Sequence, residues 1–388
     1  MKALVNVKIE LVIVFIILLN ILCSTQLQAQ KDLIQLSKKD NRIILRSLDG
    51  YNFYGIKNIE ESNYYVYKVE ERLVFKLVNI SDTSTSELNF EAHLPDSVLY
   101  KNDFEDICFL GGDSTLLLFH SHLVLISRNR ILNVLKINQR INGEWPHLLF
   151  TSFKPLGNLV FDKVKGEVYL RVGVGDEYIH DRKFWNESIL AKYKLSSSTI
   201  EILPVNYPIL FQEKYLGDRF LYQICKIENE IYISFLVTNN YYKIQLENAQ
   251  IQQKEFPLSV LDTSGSKYFE FGMEVPINQG IDNITLSPIY DNVIPITNKK
   301  CNLRFFRSGI PLKNSDGLFN SILDKKTTIL VISQENELLQ EYLLPIDFSY
   351  NSYFYFVLGS KLYINNLNDD AANSKWIHFD GFEINELD

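Results

Sequence analysis

Short apolar runs and polar separators alternate most regularly along residues 107–137. The apolar runs have strand length and cover residues 107–110, 115–119, 123–127 and 131–137. Runs of this kind, bounded by Gly, Asp, Ser and Asn, are typical of strands joined by tight turns. Four such antiparallel strands form a small sheet that must stack on other sheets to bury its faces. The pattern therefore predicts one blade of a β-propeller.

Less regular sets of strands precede and follow this blade. They are predicted at residues 64–69, 72–80 and 87–92; 156–163, 167–174, 189–195 and 199–204; 220–227, 230–237, 241–246 and 251–256; 284–290, 303–307, 328–333 and 338–344; and 353–358, 361–365 and 376–383. A turn followed by a short apolar strand recurs in each set, at a spacing typical of propeller repeats with insertions. We expect six blades. Seven is the alternative, because residues 259–283 are poorly patterned, and no helix longer than a turn or two is predicted.

The predicted strand at residues 42–45 is expected to complete the last set, which has only three strands of its own. Such pairing would close the ring and remove exposed sheet edges. Residues 50–55, which follow this strand, are predicted as a turn region. The predicted fold class is all-β, with a single β-propeller domain over residues 30–388.

Residues 1–29 have the features of a signal peptide. Lys2 and Lys8 precede an apolar run at residues 11–22, and a polar tail ends near Ala29. The run is shorter than the ~20 apolar residues that span a bilayer, and cleavage after Ala29 would release the domain. We expect export to the periplasm or cell surface, with no transmembrane span in the mature chain.

The cysteines refine this expectation. Cys23 allows lipid attachment as an alternative to simple export, but Leu22 stands where lipoprotein signals have a small residue. The remaining cysteines, Cys108, Cys225 and Cys301, are too few and too widely spaced for a disulfide framework. We interpret them as structural.

Composition narrows the possible partners. Of 388 residues, 13% are aromatic, and the net charge is −8. Many aromatic residues favour strands, and an acidic chain without a basic stripe is not expected to bind nucleic acid. A monomer is expected, with an envelope protein, a peptide or a glycan as partner.

The C-terminal third of the chain resembles a known family. The segments that carry the resemblance are SPIYD at residues 287–291, LRFFR at 303–307, SILDKKTTILVI at 321–332 and EYLLP at 341–345. They are similar to the exported Bacteroidota family called domain of unknown function 4221. The resemblance implies a six-bladed-propeller-like fold and a signal or lipoprotein leader. It implies no particular activity.

Familiar catalytic signatures such as GxSxG and HExxH are missing from the sequence. The predicted insertion at residues 175–187 carries Asp176, His180 and Asp181, together with Trp185, which we expect to be exposed for stacking on a carbohydrate. A rigid propeller commonly binds ligands through such a loop. The alternative is a solvated surface loop.

A second candidate cluster contains Arg304, Tyr290 and Asp291. Arg304 stands at a strand position where the other repeats have apolar residues or tyrosine. An arginine beside aromatic rings could clamp a carboxylate or stack against a sugar. The alternative is a structural arginine that lines the channel or pairs with Asp291. A metal at His120 and His122 is the weaker possibility, since two ligands are too few.

These observations predict a non-catalytic binding or interaction module that uses the funnel of the propeller. No catalytic residue, metal or resident cofactor is assigned. The alternatives are a calcium-dependent hydrolase of the lactonase or esterase kind and a structural component of an envelope complex. Architecture alone does not decide between them.

Overall fold

The fold was analysed in a computed structural model. It describes residues 34–46, 51–59, 62–69, 72–94, 104–119, 122–128, 130–136, 139–140, 146–149, 159–173, 181–215, 222–259, 268–269, 277–321, 324–345, 350–366 and 376–386. These residues form antiparallel sheets in sequence order, apart from the first strand, which joins the last sheet. The predicted signal peptide and the residues around Cys23 lie outside the described residues.

The strands group into six blades. Blade 1 contains β2 (Tyr51–Ile59), β3 (Ser62–Val69), β4 (Val74–Asn79) and β5 (Thr85–Asn89), and blade 2 contains β6 (Phe104–Gly111), β7 (Ser114–Phe119), β8 (His122–Ser127) and β9 (Arg130–Lys136). Blade 3 contains β12 (Leu159–Asp162), β13 (Glu167–Gly173), β14 (Ser188–Lys194) and β15 (Thr199–Asn206), extended by the short strands β10 (Gln139–Arg140) and β11 (Pro146–Leu149).

The other half of the ring is built in the same way. Blade 4 contains β16 (Tyr222–Ile227), β17 (Glu230–Phe235), β18 (Asn240–Gln245) and β19 (Ile251–Glu255), and blade 5 contains β20 (Ile289–Ile296), β21 (Cys301–Arg307), β22 (Thr327–Ser333) and β23 (Leu338–Leu343). Blade 6 contains β24 (Tyr350–Leu358), β25 (Lys361–Asn366), β26 (Trp376–Glu386) and β1 (Ile34–Arg46). Among the described residues, the helices are α1 (Ile209–Glu213), α2 (Ile277–Leu286) and two 3-10 helices (Arg182–Asn186 and Thr297–Lys299).

The first strand closes the ring. β1 is the outermost strand of blade 6 and pairs with β26 from Ile34 opposite Glu386 to Arg46 opposite Trp376. The ends of the described chain are therefore joined by an antiparallel ladder, which covers an edge that β26 would otherwise expose. The predicted six-bladed propeller and its closure by the N-terminal strand are confirmed.

The hydrophobic core is divided among the seams between blades. Alternate residues of each inner strand face opposite neighbours, as the period of two in a strand requires. In β21, Leu303 and Phe305 pack in the cluster shared with blade 6, whereas Phe306 packs in the cluster shared with blade 4. Each of the six seams has such a cluster of buried apolar residues.

Ion pairs between first strands add to two seams. Lys57 Nζ lies 3.2 Å from Asp106 Oδ1 between blades 1 and 2. Lys226 Nζ lies 3.0 Å from Asp162 Oδ1 between blades 3 and 4. Both carboxylates are buried, so removal of either lysine would leave a charge inside the protein and destabilise the seam.

Cys108, Cys225 and Cys301 lie in seams between blades, which agrees with their interpretation as structural residues. Cys108 packs against the cluster between blades 2 and 3, Cys225 against that between blades 4 and 5, and Cys301 within that between blades 5 and 6. Burial raises the pKa of the Cys108 and Cys225 thiols to about 12. Both therefore act as small apolar side chains, not as nucleophiles.

The predicted turn at residues 50–55 is wrong, because residues 51–55 belong to β2, the first strand of blade 1. A bulge between Phe53 and Gly55 shifts the register against β3, and Gly55 has a φ of +146°. A bulge interrupts the alternation of apolar and polar positions that identifies a strand. Because β2 was missed, the strands of blade 1 were counted one short. The turn and apolar strand at residues 72–75 therefore lead into the third strand of blade 1, whereas the corresponding element lies in the second strand of every other blade.

The strand predicted at residues 284–290 is also wrong in its first part. Residues 277–286 form α2, and β20 begins only at Ile289. Ile277, Ile281 and Ile284 follow a helical spacing of four and three residues, which the glycine at position 280 and the neighbouring polar residues obscure. This helix contradicts the expectation of no helix longer than a turn or two.

Candidate functional site at the loop face

The two ends of the propeller differ in the length of their connections. At one end, first strands join second strands and, in blades 1 to 5, third strands join fourth strands through turns of two to five residues. At the other end, which we name the loop face, second strands join third strands and each blade joins the next. Long connections at the loop face span residues 174–187, 207–221, 256–288 and 308–326. Long loops on a rigid scaffold commonly carry binding groups, so the site is sought here.

Large apolar side chains are exposed on these connections around blades 4 and 5. They are Ile209, Leu258, Tyr268, Leu318 and Phe319. The two most exposed are Leu318 at 66% and Phe319 at 75%. Adjacent exposed apolar residues on one loop are unusual for a surface without a partner.

Leu318 and Phe319 are held by a small hairpin at residues 311–321. The Asn314 side-chain Oδ1 accepts a hydrogen bond of 3.0 Å from the backbone N–H of Leu318. Lys313 and Phe319 form a β-bridge, and the ammonium group of Lys313 lies 4.8 Å from the centre of the Phe319 ring. The hairpin therefore presents its two apolar side chains in a defined position.

Arg304 reaches from β21 into the seam between blades 4 and 5. Its Nη2 donates to the backbone carbonyls of Phe235 at 3.0 Å and Thr238 at 3.1 Å, and its Nε donates to the backbone carbonyl of Asp291 at 3.3 Å. All three acceptors are neutral, and the side chain is fully buried. The arginine thus joins the loop-face end of blade 4 to blade 5.

Two aromatic rings enclose the same guanidinium. The central carbon lies 4.7 Å from the ring centre of Tyr290 and 4.8 Å from that of Phe256. Burial lowers the pKa of Arg304 to about 10, and the neighbouring Tyr290 and Asp291 partly offset this effect. The predicted neighbourhood of Arg304, Tyr290 and Asp291 is therefore present in the structure.

The carboxylate of Asp291 is held by a different arginine. Arg307 Nη2 donates to both of its oxygens, at 3.0 and 3.3 Å, and both side chains are buried. Arg304 contacts only the backbone of Asp291. The alternative interpretation, in which Arg304 pairs with the Asp291 carboxylate, is therefore wrong, because that carboxylate pairs with Arg307.

Sequence reasoning missed a second buried arginine. Arg171 of β13 is fully buried, and its guanidinium carbon lies 4.1 Å from the ring centre of Tyr222 in blade 4. The Tyr222 hydroxyl donates back to the carbonyl of Val172 in blade 3 at 3.0 Å. Blade 4 therefore lies between two buried arginines. The only sequence signal was a cation within the apolar run EVYLRVG at residues 167–173.

The expectation of an exposed Trp185 is wrong. Its indole is fully buried and packs among the rings of Phe184, Tyr207, Phe211 and Tyr215. The insertion folds back as a 3-10 helix, which buries the ring. Burial of so large an apolar ring stabilises the fold more than an exposed ring would. The indole ring is therefore not available for stacking on a ligand.

Asp181 begins this 3-10 helix. Its side chain accepts a hydrogen bond of 2.8 Å from the backbone N–H of Lys183, as an N-cap does. Asp176 and His180, the other predicted ligand-binding residues of the insertion, lie outside the described residues, and so does His120. Among the residues that are described, no three His, Cys, Asp or Glu side chains are grouped to hold a metal ion.

The fold and the loop face define the class of protein as a six-bladed β-propeller with its long connections at one end. Among solved structures, the chain is similar to a member of the domain of unknown function 4221 family from Bacteroides vulgatus. The TM-score is 0.70 with 13% identity, over 92% of this chain and 100% of that one. An exported-type protein of Bacteroides fragilis is also similar, with a TM-score of 0.50 and 10% identity over 92% and 96% of the two chains. These similarities show the fold. The predicted resemblance to the domain of unknown function 4221 family is therefore confirmed for the fold.

No family model and no curated protein matches the chain. Within the described residues, no helix is long and apolar enough to cross a membrane.

Proposed function

We propose that the protein is an exported, non-catalytic binding module that recognises an envelope protein through its loop face. The observation that carries the proposal is the pair of exposed apolar side chains on the hairpin at residues 311–321. Leu318 and Phe319 are adjacent and expose most of their surface, although most large apolar residues of the described chain are buried in the six seams. Large exposed apolar groups at a rim are features of protein interaction sites.

Export is supported by the sequence of residues 1–29, which has the charge, length and tail of a signal peptide. The similar protein from Bacteroides fragilis bears the name of a putative exported protein, which agrees with this part of the proposal. Processing after Ala29, with release into the periplasm or display at the cell surface, is the form of export that we propose. The proposal includes no metal and no resident cofactor.

A partner of protein nature is favoured over a glycan by the chemistry of the hairpin. Leu318 has no flat face on which a sugar ring could stack, and Trp185, the predicted stacking residue, is buried. Aliphatic and aromatic side chains together suit the apolar centre of a protein interface, where a few buried anchors contribute most of the affinity.

The test is a quantitative comparison of two double variants. Tagged wild-type protein is used to capture its partner from envelope extract, and the identified partner is then purified and titrated against each variant. We expect L318S/F319S to weaken binding at least tenfold, since two anchors are lost. The control is L132S/V134S, which removes two exposed apolar residues from β9 in blade 2. Equal losses in both variants, or no saturable partner, would contradict the proposal.

A further inference from the structure

The charge of Arg304 is only partly offset by its surroundings, because the nearby Asp291 carboxylate is held by Arg307. The hydrogen bonds of Arg304 go to three backbone carbonyls, and within the described part of the chain it forms no ion pair. Its Nη1 is buried and has no hydrogen-bond partner there. A buried cation with a donor nitrogen left unsatisfied is costly to a fold. A bound group that accepts from this nitrogen would remove the cost.

Two other buried cations near this seam make different contacts. Arg307 holds the Asp291 carboxylate, and Lys325 donates to the backbone carbonyl of Ser287. The rings of Tyr290 and Phe256 offset part of the charge of Arg304 but accept no hydrogen bond in the plane of its Nη1. What is missing at Arg304 is one in-plane oxygen acceptor that bears negative charge.

We propose that Arg304 is the binding residue for a carboxylate on a small ligand, which enters the seam between blades 4 and 5 from the loop face. The inference rests on the proposed function and names a ligand class for the same face. One uncompensated positive charge matches a singly charged carboxylate better than a doubly charged phosphate. Nη1 is the one nitrogen left open, and its N–H groups can donate to a carboxylate oxygen, because Nε and both N–H groups of Nη2 are already used.

The position of the guanidinium explains the route. Its acceptors Phe235 and Thr238 lie at the end of β17 and in the connection to β18, which is the loop-face end of the seam. Phe256, which covers one side of the guanidinium, is the first residue of the 256–288 connection. The guanidinium is fully buried in a packed seam, so the ligand must be small.

Acetate is the probe for the experiment. The melting temperature of the purified protein is measured against acetate concentration, with chloride holding the ionic strength constant and acetamide as the neutral analogue. A ligand that binds only the folded state raises the melting temperature in a saturable way. We expect such a rise with acetate and none with acetamide. A linear, salt-like response or no response in the wild-type protein would overturn the proposal.

Arg171 provides a matched control, because it is equally buried and also stacks on a tyrosine ring. R304M and R171M should both melt lower than wild type, but only R304M should lose the response to acetate. A full response in R304M would refute the assignment. If R304M does not fold, R304K and R171K are compared, and only R304K should need at least threefold more acetate for half-saturation. Partner binding through Leu318 and Phe319 is measured without acetate, so the two proposals can fail separately.

Discussion

At the scale of single residues, buried tyrosines link the packing of the seams to the chemistry of the protein. Tyr222 fills the seam between blades 3 and 4, and its hydroxyl donates to a backbone carbonyl of blade 3. Burial raises the pKa of Tyr222 to about 12, because the phenolate is poorly solvated there. Burial likewise raises the pKa values of Tyr67 and Tyr241 to about 12.

These shifts predict a loss of stability at alkaline pH. A tyrosine with a raised pKa in the fold stabilises it fully below the unfolded value of about 10, and this contribution disappears as the pH rises through about 12. The lowered pKa of Arg304 has the opposite effect, since its loss of a proton above about pH 10 stabilises the fold. Several tyrosines oppose this single arginine, so the net effect is a loss of stability. We expect the urea midpoint to be constant up to about pH 10 and to fall by pH 11.5. A midpoint that stays constant to pH 11.5 would contradict the assignment.

The sequence predicts that these residues lie in strands but does not predict their contacts, for a physical reason. Alternation in a strand shows that Tyr222 and Arg304 lie in apolar runs, but it does not show which groups of the next blade they meet. Arg304 was found because it departs from its repeat, whereas its carbonyl acceptors in blade 4 belong to a different part of the sequence. Trp185 was misjudged because an aromatic ring on an insertion can fold inward as easily as outward.

At the scale of elements, β1 is the strand with the largest consequence for the ring. It pairs with β26 over most of its length, and Leu45 packs in the cluster between blades 6 and 1. The neighbouring Ile44 faces outward and is exposed. β1 thus adds hydrogen bonds to the last blade and covers part of a seam.

Deletion of residues 31–48 should destabilise the whole domain. The loss would expose the edge of β26 and remove Leu45 from its seam, so we expect a lower urea midpoint and concentration-dependent association. Chemical denaturation and light scattering measure the two effects. I44S is the control and should change neither. A truncated protein with an unchanged midpoint that remains monomeric would refute the role of β1.

Elements were predictable where the alternation was unbroken. Blades 2, 3 and 4 follow from their sequences because their strands are short, apolar and separated by clear turns. β2 was missed because of the bulge at Gly55, and α2 because polar residues obscure its helical spacing. The hairpin at residues 311–321 was missed because two apolar residues after a turn look the same whether they are buried or exposed.

At the scale of the whole molecule, the propeller separates stability from recognition. Six seams and the closing strand hold the ring, and the short turns at one end leave little room for a site. The long connections all emerge at the loop face, where apolar side chains are exposed around blades 4 and 5. This arrangement supports the proposed binding function.

The most direct measurement is photo-crosslinking in cells that make the protein naturally. A photoreactive phenylalanine analogue is placed at position 318 in the hairpin or at position 164, where Val164 is 91% exposed in a turn at the opposite end. The account predicts a discrete adduct of higher mass from position 318 and none from position 164, although position 164 is the more exposed. Adducts from both positions alike, or from position 164 alone, would contradict recognition through the loop face.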